Sequence, residues 1–350
     1  MKAYYKKYIL KFKTPGGTSR GVLRQKETWF LILEDKNKFG IGECGLFRGL
    51  SADDVPNYED TLEWVCNNID TGLDDLLTHI TKFPSIQFGL EQAFKSLAST
   101  NPFVLFPSAF TNDNQPLPIN GLIWMGEPSY MRDQIVQRIE EGFRCIKLKI
   151  GAIDFDVELE LLASIRERYS EDEIEIRVDA NGAFGHEEAL NKLTCLAELG
   201  IHSTEQPIKP GALSVMANLC EQSPIPIALD EELIGVHGET NKRELLQIIK
   251  PQYIILKPSL VGGFKGSGEW INLANSLGIK WWITSALESN IGLNAIAQWT
   301  YTLSNQMPQG LGTGSLFTNN FECPLEVQQG NLYYKRDSQW EDNLIRSICT

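Results

Sequence analysis

The chain has 350 residues, of which 42% are apolar and 22% charged, and carries a formal net charge of −13 at pH 7. That composition excludes a disordered polypeptide and leaves room for a large barrel plus a smaller unit. The negative balance argues against nucleic acid and anionic membrane surfaces as partners. Seven scattered cysteines with no C-x-x-C spacing fit reduced thiols better than disulfides or zinc. No signal peptide or bilayer-length apolar run is read, so the expected compartment is the cytoplasm.

Tyr4 to Lys13, Thr28 to Leu33 and Phe39 to Cys44 read as strands, with the last two forming a hairpin around the polar stretch Glu34 to Lys38. Pro15 to Gly21 reads as a flexible loop, and a second loop, Gly45 to Pro56, carries Arg48. Tyr58, Leu62 and Val65 recur at helical spacing, as do Leu90, Phe94 and Leu97. Strands followed by helices make an α+β unit over residues 1–115, and the proline-bearing Phe103 to Pro118 marks its boundary. Regular strand–helix alternation then begins. Strands are expected at Leu117 to Trp124, Arg144 to Ile150, Ile174 to Asp179, Ile201 to Glu205, Ile225 to Asp230, Gln252 to Lys257, Gly278 to Thr284 and, briefly, Gly310 to Gly314. Such alternation over residues 116–319 predicts an α/β fold, a TIM-like βα barrel. Leu332-Tyr333-Tyr334, in the tail 320–350, is expected to return to the first unit and complete it.

Three of these strands end in an acid: Asp179, Glu205 and Asp230, spaced 26 and 25 residues apart. One βα unit of an eight-fold barrel takes about 30 residues, so the three carboxylates sit on consecutive strands and converge at the mouth. Carboxylates packed together repel unless a cation lies between them, and oxygen-only ligands suit Mg²⁺. On the preceding strand, Lys147 and Lys149 share a face by strand periodicity and point inward. Two ammonium groups in one mouth beside a metal ion are expected to depress each other's pKa, which suits a general base. Lys257, at the end of the sixth strand, faces them from the other side.

Softer candidates surround this group. Asn181 follows Asp179 by two residues, Ser285 ends the seventh strand, and Gly312 belongs to a glycine-rich eighth segment offering backbone N–H groups. Arg20, on the first loop, is placed to close over the mouth and meet an anionic group. The glycine-rich Gly262 to Gly268 lacks the G-K-[ST] ending of a phosphate loop and reads as a tight βα turn. None of the four histidines falls at the end of the sixth or seventh strand, so a Ser-His-Asp triad or histidine zinc site has no support.

Lys147-x-Lys149, Asp179-Ala-Asn181, Glu205-Gln206-Pro207, Asp230-Glu231 and Lys257-Pro258, taken together, resemble the enolase superfamily, and more narrowly its muconate-lactonizing-enzyme branch. The resemblance implies a (β/α)7β barrel under an α+β capping domain closed by C-terminal residues. It also implies Asp179, Glu205 and Asp230 as Mg²⁺ ligands, Lys149 as base and Lys257 as its counterpart. The eighth segment has Gly312-Thr313-Gly314 where dipeptide epimerases of the branch carry Asp-x-Asp, which disfavours a cationic substrate. The activity so implied is a lyase reaction on a small dicarboxylate. Water is lost by β-elimination through an enediolate, with 2-succinyl-6-hydroxy-2,4-cyclohexadiene-1-carboxylate as substrate. N-succinylamino acid racemases share nearly all these motifs and stand as the alternative.

Overall fold

The computed structural model describes residues 1–18, 21–341 and 344–349. The chain opens with a three-stranded antiparallel sheet, β1 (Lys2–Thr18), β2 (Gly21–Asp35) and β3 (Lys38–Cys44). Gly16, Gly17, Thr18 and Gly21, within the stretch read as a flexible loop, are instead paired at the far end of the β1–β2 hairpin. A register shift between Lys11 and Gly16 lets Gly16 and Gly17 lie against Trp124 and Met125, where a Cβ would collide. Helices α1 (Tyr58–Asn67), α2 (Leu73–His79) and α3 (Pro84–Ala98) cover this sheet, and α4 (Ala109–Asp113) lies in the connector. α3 packs so closely on β3 that a Cβ on Gly42 would stand 1.9 Å from the Gly89 carbonyl oxygen.

The expected first barrel strand divides in two. β4 (Leu117–Pro118) pairs antiparallel with the tail, and only β5 (Gly121–Ile123) enters the barrel. The strand–helix alternation then runs α5 (Pro128–Glu140), β6 (Cys145–Lys149), α6 (Phe155–Arg166), β7 (Glu175–Asp179), α7 (Ala189–Ala197), β8 (Ser203–Glu205), α8 (Leu213–Gln222) and β9 (Ile227–Leu229). It continues with α9 (Glu239–Ile249), β10 (Tyr253–Leu256), α10 (Pro258–Val261), α11 (Gly263–Ser276), β11 (Lys280–Ile283) and α12 (Asn290–Thr302). Gly262 makes a tight left-handed turn between α10 and α11, and Gly263, Gly266 and Gly268 lie within α11. β5 to β11 form one curled parallel sheet in sequence order. The eighth segment closes the seam through two bridges, Ile119 with Gln309 and Thr284 with Gly310. Outward apolar residues such as Ile146, Leu148, Ile176 and Val178 meet the helices, which leaves the alternate, charged positions for the interior.

The tail forms the hairpin β12 (Leu325–Gln328) and β13 (Asn331–Tyr334), followed by α13 (Leu344–Cys349). Leu332 and its neighbours pair with β4 and not with the first sheet, while Tyr334 packs on Phe110 of α4. The link to the first unit comes from Phe321, Leu344 and Ile348, which pack with Phe30, Ile32 and Ile41. No helix among the described residues is long and apolar enough to cross a membrane.

Buried acids tie the first sheet and its helices to the barrel. Glu43, at the end of β3, accepts the Ser289 and Gly292 backbone N–H groups, both at 2.9 Å, at the start of α12. Glu91 of α3 accepts from Phe264 and Lys265 at the start of α11. Each carboxylate satisfies N–H groups that a helix start leaves free and meets the positive end of its dipole. The loop 45–57 is pinned by Asp53, which accepts the Ser85 N–H at 2.9 Å and its hydroxyl at 2.6 Å. Burial pushes the Asp53 carboxyl up to about 6 from an ordinary value of 3.8, the Ser85 hydrogen bonds opposing it only in part. The folded state therefore binds the extra proton between those values, and stability falls as pH rises through that window. Asp53→Asn is expected to remove this slope. Its stability relative to wild type should improve by roughly 2–3 kcal/mol between pH 4 and pH 7 in urea unfolding. A stability difference that does not change with pH would contradict the assignment.

Candidate active site

The ends of the five strands β6 to β10 set six charged residues in a row around one side of the barrel mouth. Lys147 and Lys149 come from β6, Asp179 ends β7, Glu205 ends β8, Asp230 follows β9 and Lys257 follows β10. Register places Lys149 beside Asp179, and Asp179 beside Glu205. All three acids are buried. The Lys147 ammonium lies 3.1 Å from Asp179 Oδ2 and also contacts Glu205 Oε2. Lys149 Nζ donates to Asp179 Oδ2 at 2.9 Å and to Asn181 Oδ1 at 2.7 Å. Lys257 donates to Asp230 Oδ2 and lies 3.9 Å from Glu205 Oε1. Asn181, held at φ 45°, in turn donates its amide to Glu231 at 3.0 Å.

These neighbours set the protonation of the group. Burial raises the Asp179 carboxyl, but Lys147, Lys149 and Lys257 outweigh it and hold the group well below its ordinary value. Burial and the adjacent Asp179 push Glu205 up to about 8, against the opposing pull of the lysines. Burial pulls the Lys147 and Lys257 ammonium groups down, yet the acids beside each dominate and both end above their ordinary value. Lys257 does draw Lys147 down, as expected of a second ammonium, but Asp179 and Glu205 outweigh it.

Among the described residues no three acids already form a metal cage. The donor set nevertheless fits a hard divalent ion. Asp179, Glu205 and Asp230 offer only oxygen, and Glu205 Oε1 is buried without a hydrogen-bond partner.

Lys147, Lys149, Asp179, Asn181 and Lys257 all face a pocket roofed by Leu23, Phe47 and Leu50 from the first unit. Its far wall is apolar or neutral: Leu122, Trp124, Ala286 and Leu287, with Asn120, Ser285, Gly312 and Thr313 between them. Ser285 is there as expected, but its hydroxyl is engaged with the Thr313 hydroxyl at 2.7 Å. Arg20 lies outside the described residues. Asn120, Trp124 and the roof residues are not singled out by the sequence reading. The first two had a usable signal, since Asn120, Leu122 and Trp124 share strand parity and Leu122 pairs with inward-facing Lys147. Phe47 and Leu50 had none, because a loop has no period, and Leu23 sits in β2 outside the strand read from the sequence.

A family model described as "Enolase C-terminal domain-like" matches residues 130–337. The chain is 46% identical to o-succinylbenzoate synthase of Desulfotalea psychrophila, over 95% of this chain and 98% of that one. The crystal structure of MenC from the same organism superposes with a TM-score of 0.85 at 43% identity, covering 95% of this chain and 99% of that one. A dipeptide epimerase from Cytophaga hutchinsonii, solved with Mg and the dipeptide D-Ala-L-Val, shares the fold at a TM-score of 0.82 and 20% identity, over 99% of this chain and 97% of that one.

Lys149 is held from behind by the turn that follows it. Ile150 donates its N–H to the Asp179 carbonyl at 2.9 Å, and Gly151 adopts φ 90° with no room for a Cβ against Ala183. Glu158, buried in the first turns of α6, reaches back and accepts the Gly151 N–H at 2.7 Å. Burial pushes its carboxyl up to about 7, while the amides of Gly151, Ile153 and Ala152 draw it down. Glu158→Ala leaves those amides facing an apolar gap and is expected to lose about 1–3 kcal/mol of stability in urea. Glu158→Gln keeps an acceptor oxygen and should lose much less. Equal losses in the two variants would show that the Gly151 hydrogen bond is not what holds the turn.

Proposed function

The chain belongs to the enolase superfamily, in its muconate-lactonizing-enzyme branch, and we propose that it acts as an o-succinylbenzoate synthase in menaquinone biosynthesis. It is a carbon–oxygen lyase that dehydrates 2-succinyl-6-hydroxy-2,4-cyclohexadiene-1-carboxylate. The observation that carries this reading is the row of lysines and three acids at successive strand ends, of which Lys147, Lys149, Asp179 and Lys257 line one pocket, in a chain 46% identical to an o-succinylbenzoate synthase along nearly its whole length. Residues 1–115 with 320–350 serve as the capping unit and 116–319 as the catalytic barrel. The setting is the reducing cytoplasm.

Asp179, Glu205 and Asp230 would hold a Mg²⁺ ion, which when bound would supply Lewis-acid stabilisation to a substrate carboxylate. Lys149 accepts the proton of the adjacent C–H at Nζ. Lys147, lodged between Asp179 and Glu205, adds a fixed positive charge beside the carboxylate oxygens as they gain negative charge. The ring C–O bond then breaks, and Lys149 returns the same proton to the departing hydroxyl, which leaves as water on the same face. Lys257, on the far side of the acid row, is held in place by Asp230 and lies 3.9 Å from Glu205 Oε1. It lies under the ring as aromaticity develops and favours the π face. Asn181 keeps Lys149 aimed by accepting one of its N–H bonds. Phe47, Leu50 and Leu23 exclude water from the reacting face.

The dicarboxylate substrate suits this mouth, where Lys147, Lys149 and Lys257 gather positive charge within a protein of net charge −13. Purified protein with Mg²⁺ is expected to consume the diene, read as loss of its absorbance while the aromatic product forms. N-succinylamino acids offered alongside should epimerise far more slowly. Rapid epimerisation with negligible dehydration would pass the assignment to the racemase alternative. Lys149→Ala should lose at least 10³-fold in turnover, together with exchange of the substrate α-proton in D₂O. Wild-type exchange in that variant would remove Lys149 as the base.

A further inference from the structure

Asn120 stands immediately before β5, with its side chain on the same face as Leu122 and Trp124, and lines the pocket. It is only 4% exposed, and its Oδ1 is buried with no hydrogen-bond partner. Buried polar side chains are normally paired, so a carboxamide whose oxygen is unpaired, on a residue lining a ligand cavity, marks a side chain free to reorient toward a ligand. The backbone around it is fixed. Asn120 donates its N–H to the Gln309 carbonyl at 2.9 Å, and Gln309 donates to the Pro118 carbonyl at 2.9 Å, which locks the residue at the barrel seam. Beside it, Gly312 keeps space open. A Cβ there would find only Ile119 and the Asn120 carbonyl, at 3.5 and 3.6 Å.

The division of charge in the pocket says what the amide meets. The cationic wall, formed by Lys147, Lys149 and Lys257, takes the ring carboxylate on the reading above. The opposite wall is uncharged, and two of its hydroxyls, Ser285 and Thr313, already bond to each other. A substrate arm bearing a ketone and a second carboxylate still needs a donor on that side. A carboxamide turns end for end by rotation about χ2, so an incoming oxygen selects the N–H₂ end. We propose that Asn120 binds the succinyl arm of the substrate, donating its side-chain amide to an oxygen of that arm and so fixing which ring face meets Lys149. This inference rests on the dehydratase reading.

The test separates the two. Wild-type protein with Mg²⁺ is titrated with o-succinylbenzoate, 2-butyrylbenzoate and 2-butylbenzoate, which carry both arm oxygen groups, the ketone alone and neither. The same titrations are made with Asn120→Leu and the near-isosteric Asn120→Asp, each checked for an unchanged melting temperature. Both variants are expected to bind o-succinylbenzoate at least tenfold more weakly and 2-butylbenzoate as wild type does. If the loss extends to 2-butyrylbenzoate, the amide bonds the ketone; if it does not, the amide bonds the carboxylate. Unchanged affinity for o-succinylbenzoate in Asn120→Asp, or equal weakening of all three ligands, overturns the role of Asn120. A wild-type protein that fails to dehydrate the diene fails the parent reading instead.

Discussion

Three carboxylates buried side by side impose a charge problem that the rest of the barrel is arranged to meet. Two unit charges 4 Å apart interact by about 4 kcal/mol at the effective dielectric of a protein, so an uncompensated triad would neutralise itself or unfold the mouth. Here lysines flank the triad at both ends, and a third reaches between two of its members. Glu205, in the middle, feels the repulsion most and is the acid displaced upward, whereas Asp179, with lysines close by, is displaced downward. A divalent cation among the same oxygens would take over part of that compensation and free the lysines for proton transfer.

That arrangement works only if water is excluded and the mouth is roofed, which is the part of the first unit. Its sheet and loops supply Leu23, Phe47 and Leu50. Its acids Glu43 and Glu91 dock onto the starts of α12 and α11, so the roof is joined to the barrel by hydrogen bonds to helix ends as well as by apolar packing. Glu43 reaches α12 just beyond Ser285, Ala286 and Leu287, which line the pocket, so this docking contact and the pocket wall share one short segment. Lys26, buried without a hydrogen-bond partner, gains charge stabilisation from Glu43 and Glu288 at the same junction.

The barrel and the charged row were legible in the sequence for a simple reason. A parallel strand buried on both faces reads as an apolar run, and a charged residue at its end stands out against that run, as at Asp179, Glu205, Asp230 and Lys257. What was misread depended on long-range partners. Leu117 and Pro118 look like the start of a barrel strand, but β13 claims them. Pro15, Gly16 and Gly17 look like a loop, and they form a hairpin end because Trp124 and Met125 lie against them. The lysine pKa values could not be read from spacing, since they turn on which neighbour lies nearest. Nor could the engagement of Ser285 with Thr313, residues from different strand ends.

The account stands or falls on the acids acting together on one cation. Isothermal titration of the purified, metal-free protein with Mg²⁺ addresses this without any substrate. One ion per chain should bind, and the site should disappear in Glu205→Gln while the fold is retained. Binding of the same strength in that variant, or no Mg²⁺ uptake by wild type, would contradict the central role given to Asp179, Glu205 and Asp230.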